Sequence, residues 1–330
     1  QLYDILKHRL INKGYIRSDK QKEDLNDLVL SELHLIANNS YQGFEAQKLH
    51  LLFQATYYLN SGNYKSAIRY YQELINLFND NQHLILNPPI YYLSAIQGIL
   101  DSLCIAGLYH ETPFFLSKLE ELTQNEYSTE FILHLKTLIY IYKSNSLLQA
   151  GNFEQALELR DKQENELLKK VTSLGLESQL RLYLSFAVLG MYTKDYVQAR
   201  KYMKKIFSLG KLFCAFPSYK IARLVNLSLQ AELGNYDFFE NEIISIKRNI
   251  RFEKQTYITE KLIFKFIQGY PLPSYEKARN KRWLQYQKDI QKIEQDKYER
   301  QLLKTFDVLA WIESKLTQRS LADILAEKAH

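Results

Sequence analysis

Five short stretches of this chain repeat one pattern, in which a glycine or polar residue is followed two positions later by an aromatic ring and five positions later by a small or apolar residue. The stretches are Gly62–Ala67, Gly107–Thr112, Gly151–Ala156, Lys194–Ala199 and Gly234–Phe239. They begin 45, 44, 43 and 40 residues apart. A nearly fixed period in this range is typical of stacked helical hairpins rather than of one globular core.

Each residue type in the pattern has a physical reason. Glycine ends a helix in the left-handed conformation, the aromatic ring packs over the turn, and a small residue lets the neighbouring helix approach closely. Apolar residues at helical spacing precede Gly62, as in Leu51, Leu52 and Ala55, and follow it, and no alternating strand pattern competes. The chain is therefore predicted to be all-α.

The turns resemble those of the tetratricopeptide-repeat family, in which a glycine, an aromatic, a small residue and a further large residue recur in each unit. The matching residues are Gly62, Tyr64, Ala67 and Tyr71, then Gly151, Phe153, Ala156 and, less closely, Arg160. Thr112, Phe239 and Lys194 depart from the pattern, and every step exceeds the usual 34 residues of that family. The resemblance implies a right-handed α-α superhelix of five to six hairpins, with Tyr275 and Ala278 in a degenerate sixth unit.

Three regions follow from this pattern. Residues 1–44 are predicted to form an irregular first hairpin, residues 45–293 the helical repeats, and residues 294–330 two amphipathic capping helices over the last repeat. Caps are expected because an uncovered terminal repeat exposes an apolar face.

Motifs for chemistry are absent from the sequence. It contains no phosphate-binding glycine loop, no dinucleotide fingerprint, no HExxH, no CxxC and no nucleophile elbow. Seven histidines are scattered; His34 and His50 could meet in space, but surface or structural roles are the default for them. We therefore predict a protein that is not an enzyme and that has no catalytic, cofactor-binding or metal-binding residues.

The cysteines and the hydropathy pattern bear on location. Cys104 and Cys214 fall in apolar helical segments, where isolated cysteines are usually buried small hydrophobes. No apolar run reaches the length of a membrane-spanning helix. The sequence favours a cytoplasmic protein, provided that no targeting signal precedes Gln1.

Charge is distributed unevenly along the chain. Residues 1–165 carry 14 Lys and Arg against 19 Asp and Glu, whereas residues 166–330 carry 29 against 18. Two clusters form a basic patch: Arg200, Lys201, Lys204 and Lys205, and then Lys277, Arg279, Lys281 and Arg282. Such cations attract an acidic protein or phosphates. The solvated outer face of a helix is the favoured explanation for them, and no nucleic-acid-binding motif is present, so nucleic acid is an unfavoured partner.

The family resemblance implies that the first helix of each unit lines a concave groove for a partner. Residues six positions before each turn are Thr56, Asp101, Asn145, Val188 and Ser228; residues ten positions before are Leu52, Gln97, Ile141, Leu184 and Leu224. This mixed polar and aliphatic row suits an extended peptide or a partner helix. The alternative is that some of these residues pack between helices.

The sequence thus favours a non-enzymatic protein- or peptide-binding scaffold whose partner is a protein or peptide of unknown identity. Two alternatives stay open. One is a peptide-sensing module of a regulatory protein whose N-terminal domain precedes Gln1. The other is a nucleic-acid-associated scaffold that uses the basic C-terminal half.

Overall fold

A computed structural model describes residues 2–14, 16–38, 43–85, 87–210, 216–252 and 258–329. Within these ranges the chain forms eighteen α-helices and three short 3-10 helices, and no strand. The predicted all-α class is confirmed; the right-handed superhelix stays a prediction. The chain divides into two compact units, Gln1–Tyr142 and Lys143–His330.

The first unit contains seven complete helices and most of an eighth. They are α1 (Leu2–Lys13), α2 (Asp19–Glu23), α3 (Asn26–Ala37), α4 (Phe44–Asn60), α5 (Tyr64–Asp80), α6 (Ile90–Ala106), α7 (Thr112–Leu122) and α8 (Thr129–Gln149), whose last residues belong to the second unit.

The second unit contains the remaining ten helices. They are α9 (Phe153–Lys169), α10 (Leu176–Tyr192), α11 (Tyr196–Ser208), α12 (Pro217–Glu232), α13 (Asp237–Phe252), α14 (Ile258–Ile267), α15 (Glu276–Gln295), α16 (Arg300–Leu303), α17 (Val308–Thr317) and α18 (Leu321–Ala329).

Each of the five predicted turns lies between consecutive helices and has a left-handed residue at its start. The four glycines have φ between +73° and +78°, and Lys194, which stands in the glycine position, has φ +62°. Backbone hydrogen bonds close the turns: the Asn63 N–H donates to the Tyr58 carbonyl at 2.9 Å, and the Leu108 N–H to the Leu103 carbonyl at 2.9 Å. These are the six-to-one bonds of a Schellman motif, which satisfies carbonyls that a helix end would otherwise leave unpaired.

The residue after the turn glycine begins the next helix. The Asn63 side chain accepts a hydrogen bond from the Ser66 N–H at 3.2 Å, and Asp195 accepts one from the Gln198 N–H at 3.1 Å. Asn and Asp are favoured at this position because their side-chain oxygens satisfy a free N–H of the first turn. The two-residue sequence Gly-Asn or Lys-Asp therefore ends one helix and starts its partner.

The small residue of the pattern is buried where the two helices meet. Ala67, Ala156, Ala199 and Thr112 are buried, and so is Phe239, which replaces the small residue in the fifth turn. At the fourth turn a side chain at Gly190 would come within 3.1 Å of the Ala199 Cβ. Close approach of the helices thus depends on small residues on both of them.

The turn aromatics Tyr64 and Phe153 differ in burial. Tyr64 is buried, whereas Phe153 is half-buried and stacks on Tyr192, with ring centroids 5.6 Å apart. Truncating either ring to alanine removes this packing.

We expect Lys194→Gly to stabilise the protein by about 0.5–1 kcal/mol, because glycine adopts the left-handed conformation without the Cβ penalty of about 1–2 kcal/mol. Urea denaturation followed by circular dichroism measures the change. Arg200→Gly, at an exposed position inside α11, is the matched control and should destabilise by about 1 kcal/mol. Equal losses in both variants would contradict the assignment of this turn.

The C-terminal segment of the second unit packs against the ends of several helices, not only against the last predicted repeat. The Asp307 N–H donates to the Tyr192 hydroxyl at 2.8 Å, and the Trp311 ring meets Phe266 edge-on at 5.3 Å. Helix α18 reaches the third turn, where a side chain at Gly151 would meet the Ala322 carbonyl oxygen at 2.5 Å.

Glu232, at the end of α12, joins this segment to the repeats. Its carboxylate accepts hydrogen bonds from Trp311 Nε1 at 2.6 Å, from Lys315 Nζ at 2.7 Å and from the Tyr196 hydroxyl at 3.0 Å. The side chain is 11% exposed. Three donors and a lysine charge compensate for removing the carboxylate from water.

Glu232→Ala should destabilise the second unit by about 3–5 kcal/mol, because it leaves Lys315 without its counter-ion and Trp311 Nε1 without its acceptor. Thermal denaturation of the full chain measures the loss. The control is Glu240→Ala, an exposed carboxylate on α13, which should change stability by less than about 0.5 kcal/mol. Similar melting of the two variants would contradict the role of Glu232.

Candidate functional site

The predicted groove row of the first unit is partly accessible. Leu52 is fully buried and belongs to the core. Thr56, Gln97, Asp101 and Ile141 are half-buried. The accessible part of the row therefore consists of three polar residues and one aliphatic residue on α4, α6 and α8.

Asp101 is held by a neighbouring helix. The Tyr142 hydroxyl donates to Asp101 Oδ1 at 3.0 Å and reaches the Gln97 carbonyl oxygen at 3.5 Å. This contact links α6 to α8 and fixes the orientation of the carboxylate. A ligand that bonds to Asp101 would meet a pre-oriented acceptor.

Thr56 lies among buried tyrosines. It hydrogen-bonds Tyr71, and burial raises the pKa of that phenol to about 12. Thr56 also hydrogen-bonds Tyr3, whose pKa is raised for the same reason. The Tyr71 ring also packs on Gly98: a Cβ atom added at Gly98 would lie only 2.2 Å from Tyr71 Cζ. Helix α5 therefore packs directly on the backbone of α6.

Stability should fall as pH rises above 10. The folded state holds the Tyr71 proton up to a pKa of about 12, whereas the unfolded chain releases it near 10, so stabilisation is complete below pH 10 and is lost between pH 10 and 12. For Tyr71 the loss amounts to about 2–3 kcal/mol. Urea denaturation at several pH values measures it.

Tyr71→Phe should make this alkaline decline shallower. It should also remove one late-titrating phenolate from the absorbance titration. An identical pH dependence in the variant would contradict the burial of this hydroxyl.

The predicted row of the second unit is largely core. Leu184, Val188, Leu224 and Ser228 are buried, and only Asn145 is half-buried. Nearly every residue of α10 from Gln179 to Tyr192 is buried, which is typical of a helix enclosed on all sides. In this structure these four side chains contribute to helix packing and offer little surface to a partner.

The first unit contains an apolar pocket that the sequence analysis did not find. It has a volume of about 780 Å³ and lies between α1, α3 and α4. Its walls include Tyr3, Ile5, Leu30, Leu35, Leu49 and Phe53. A volume of this size and a mainly apolar lining are typical of ligand-binding pockets.

Glu32 is a buried acidic residue in the pocket wall. Glu32 is 1% exposed, and its Oε1 atom lies 2.6 Å from His50 Nδ1. His34 also lines the pocket, and its Nε2 lies 3.0 Å from the Asn38 amide. The two histidines thus have separate partners, and Glu32 adds a buried carboxylate to the pocket wall.

A signal for this pocket exists on α3. Leu30, Leu33 and Ile36 recur at three-residue spacing and are exposed, at 66%, 53% and 42%. Large apolar side chains in a stripe are unusual on a solvated helix face. Leu30 of this stripe lines the pocket, whereas Leu33 and Ile36 lie outside its lining.

The basic patch separates into structural and outward-facing cations. Arg279 is buried and donates to the Pro273 carbonyl oxygen at 3.2 Å, and Arg282 donates to the Gly269 carbonyl oxygen at 2.8 Å. Both arginines therefore fix the connection between α14 and α15. Lys277 and Lys281 are exposed.

The cations of α11 divide in the same way. Arg200, Lys201 and Lys204 are exposed, and Lys205 Nζ lies over the rings of Tyr183 and Tyr202 at 5.3 and 5.4 Å. Lys205 thus contributes to packing by a cation–π contact. Cys104 is buried, and Cys214 lies outside the described residues.

Among the residues that the structure describes, no cluster of His, Cys, Asp and Glu side chains could hold a metal ion. Within the same ranges, no helix combines the length and the apolar character needed to cross a bilayer. Comparison of the chain with protein-family models, curated proteins and solved structures gives no match.

Proposed function

We propose that this protein binds a peptide segment of another protein through its first unit and acts without catalysis. The apolar pocket between α1, α3 and α4 carries the proposal, because its volume of about 780 Å³ is sufficient for one or two large apolar side chains. The resemblance of the turns to tetratricopeptide repeats supports a binding role within a right-handed solenoid.

The pocket adjoins the accessible groove row. Tyr3 lines the pocket and hydrogen-bonds Thr56, the first residue of that row. A peptide could place an apolar anchor against Phe53 and continue along Thr56, Gln97 and Asp101. Affinity would then come from a few desolvated anchors and specificity from polar contacts beside them.

Glu32, in the pocket wall, would orient the ligand. The Glu32 carboxylate lies 2.6 Å from His50 Nδ1, and it is an acceptor toward which a donor group on the peptide could point. The low count of two cysteines in the chain agrees with a cytoplasmic location, which belongs to this proposal.

A phage-displayed peptide library selected on the full chain tests the proposal. Enriched peptides should share large apolar residues, and Leu30→Asp should weaken their binding at least about tenfold, because it places a charge against the apolar ligand. Leu30 is 66% exposed, so folding should be unchanged.

Leu33→Asp is the matched control: it lies on the same helix, is 53% exposed and does not line the pocket. Its affinity should stay within about twofold of the original. If Leu30→Asp retains full affinity while Lys204→Glu abolishes it, the binding site lies on α11 and the proposal is wrong.

A further inference from the structure

The outward face of α15 carries a straight row of lysines. Tyr286, Ile290 and Ile293 are buried on one side of this helix. The opposite side is exposed and presents Lys277, Lys281, Leu284, Lys288 and Lys292, which we name the lysine stripe. At 1.5 Å per residue the stripe is about 22 Å long.

Two acidic residues of α15 are engaged on the flanks of the stripe, and Glu276 lies at its N-terminal end. Asp289 pairs with Lys265 at 3.8 Å, and Glu294 pairs with Lys328 at 2.7 Å. Within the described part of the chain, none of the four stripe lysines forms a salt bridge with an acidic side chain. The stripe therefore presents uncompensated positive charge along one line.

An exposed leucine interrupts the charges at the middle of the stripe. Leu284 is 65% exposed and lies between Lys281 and Lys288. Phosphates of a nucleic acid would pair with the lysines but would leave this leucine in water. A lipid surface requires a broad apolar face, which one leucine does not supply.

We infer that the lysine stripe binds an acidic amphipathic helix of a partner protein. A helix lying along α15 would bring carboxylates at spacings of three and four residues opposite the lysines. One apolar residue of that helix would pack on Leu284. Charge complementarity would select the partner and its orientation, and the apolar contact would fix the register.

This surface is distinct from the peptide-binding pocket and has a different ligand. The pocket takes apolar side chains in the first unit, whereas the stripe belongs to the second unit and requires carboxylates. Lys277 and Lys281 belong to the predicted basic patch; Leu284, Lys288 and Lys292 enter only because the structure shows which face of α15 is exposed.

Fluorescence anisotropy with synthetic helical peptides tests the inference on the full chain. The probe carries four Glu residues and one central Leu at the spacing of the stripe. One comparison peptide has Gln for Glu, and a second has Ser for Leu. The Glu peptide should bind, the Gln peptide should bind at least about tenfold more weakly, and raising the salt from about 0.05 to 0.15 M should weaken binding.

Protein variants locate the binding. The double variant Lys281→Glu, Lys288→Glu should bind the Glu peptide at least about tenfold more weakly than the original chain. Leu284→Ser should weaken this binding by about threefold. The control is the double variant Lys204→Glu, Lys261→Glu, which changes the net charge by the same amount at exposed positions on α11 and α14. Its affinity for the Glu peptide should stay within about twofold of that of the original chain. A peptide with Lys for Glu should bind the reversed double variant better than it binds the original chain.

A short DNA duplex and vesicles containing phosphatidylserine serve as alternative probes. The inference is overturned if the Glu peptide fails to bind, or if the Lys281 and Lys288 reversal leaves its affinity unchanged. It is also overturned if binding of the duplex or of the vesicles depends on the stripe lysines and binding of the peptide does not.

Discussion

The left-handed residue between paired helices is the constraint on which the repeats depend. It reverses the chain within two residues, so that the next helix starts antiparallel to the last and the small residue faces it closely. Lys194 adopts the same conformation although it has a Cβ atom, which shows that packing of α10 on α11 outweighs the local penalty. The turn geometry is therefore imposed by the hairpin and is only made easier by glycine.

The sequence predicts these elements well because their determinants are local. A glycine, an aromatic and an alanine within six residues specify a turn, and the spacing of Gly62 and Gly107 specifies the helices between them. The position of the C-terminal segment was not predictable in this way. Trp311 and Lys315 meet Glu232 about 80 positions earlier in the chain, at 79 and 83 residues' separation, and no periodic pattern encodes such a contact. Amphipathic spacing indicates that α17 has an apolar face, but not which helix ends it covers.

The candidate site shows where the repeat pattern was a sufficient guide and where it was not. Counting back from the turns of the first unit selects Thr56 and Asp101, which are half-buried and accessible. The same count in the second unit selects Leu184 and Val188, which are buried. The near absence of polar residues in Leu182–Leu189 was the available signal, since a helix that is apolar on all sides is buried. The pocket was missed because α1 and α3 lie outside the repeats, and its Glu32–His50 pair joins residues 18 positions apart on different helices.

Cations that look alike in the sequence have different roles because of their chemistry and their position on the helix. Arg279 and Arg282 have planar guanidinium groups with several donors, and each satisfies a carbonyl oxygen at the connection before α15. Lys277 and Lys281 stand beside them in sequence but project from the opposite face. Because the arginines and Tyr286 hold the inner face against the second unit, the outer lysines are displayed on a fixed helix. Binding of a partner would then cost little backbone entropy in α15, because that helix is already fixed. The lysines keep a constant spacing on it, so the spacing of the partner's carboxylates, rather than their number, would be the basis of selectivity.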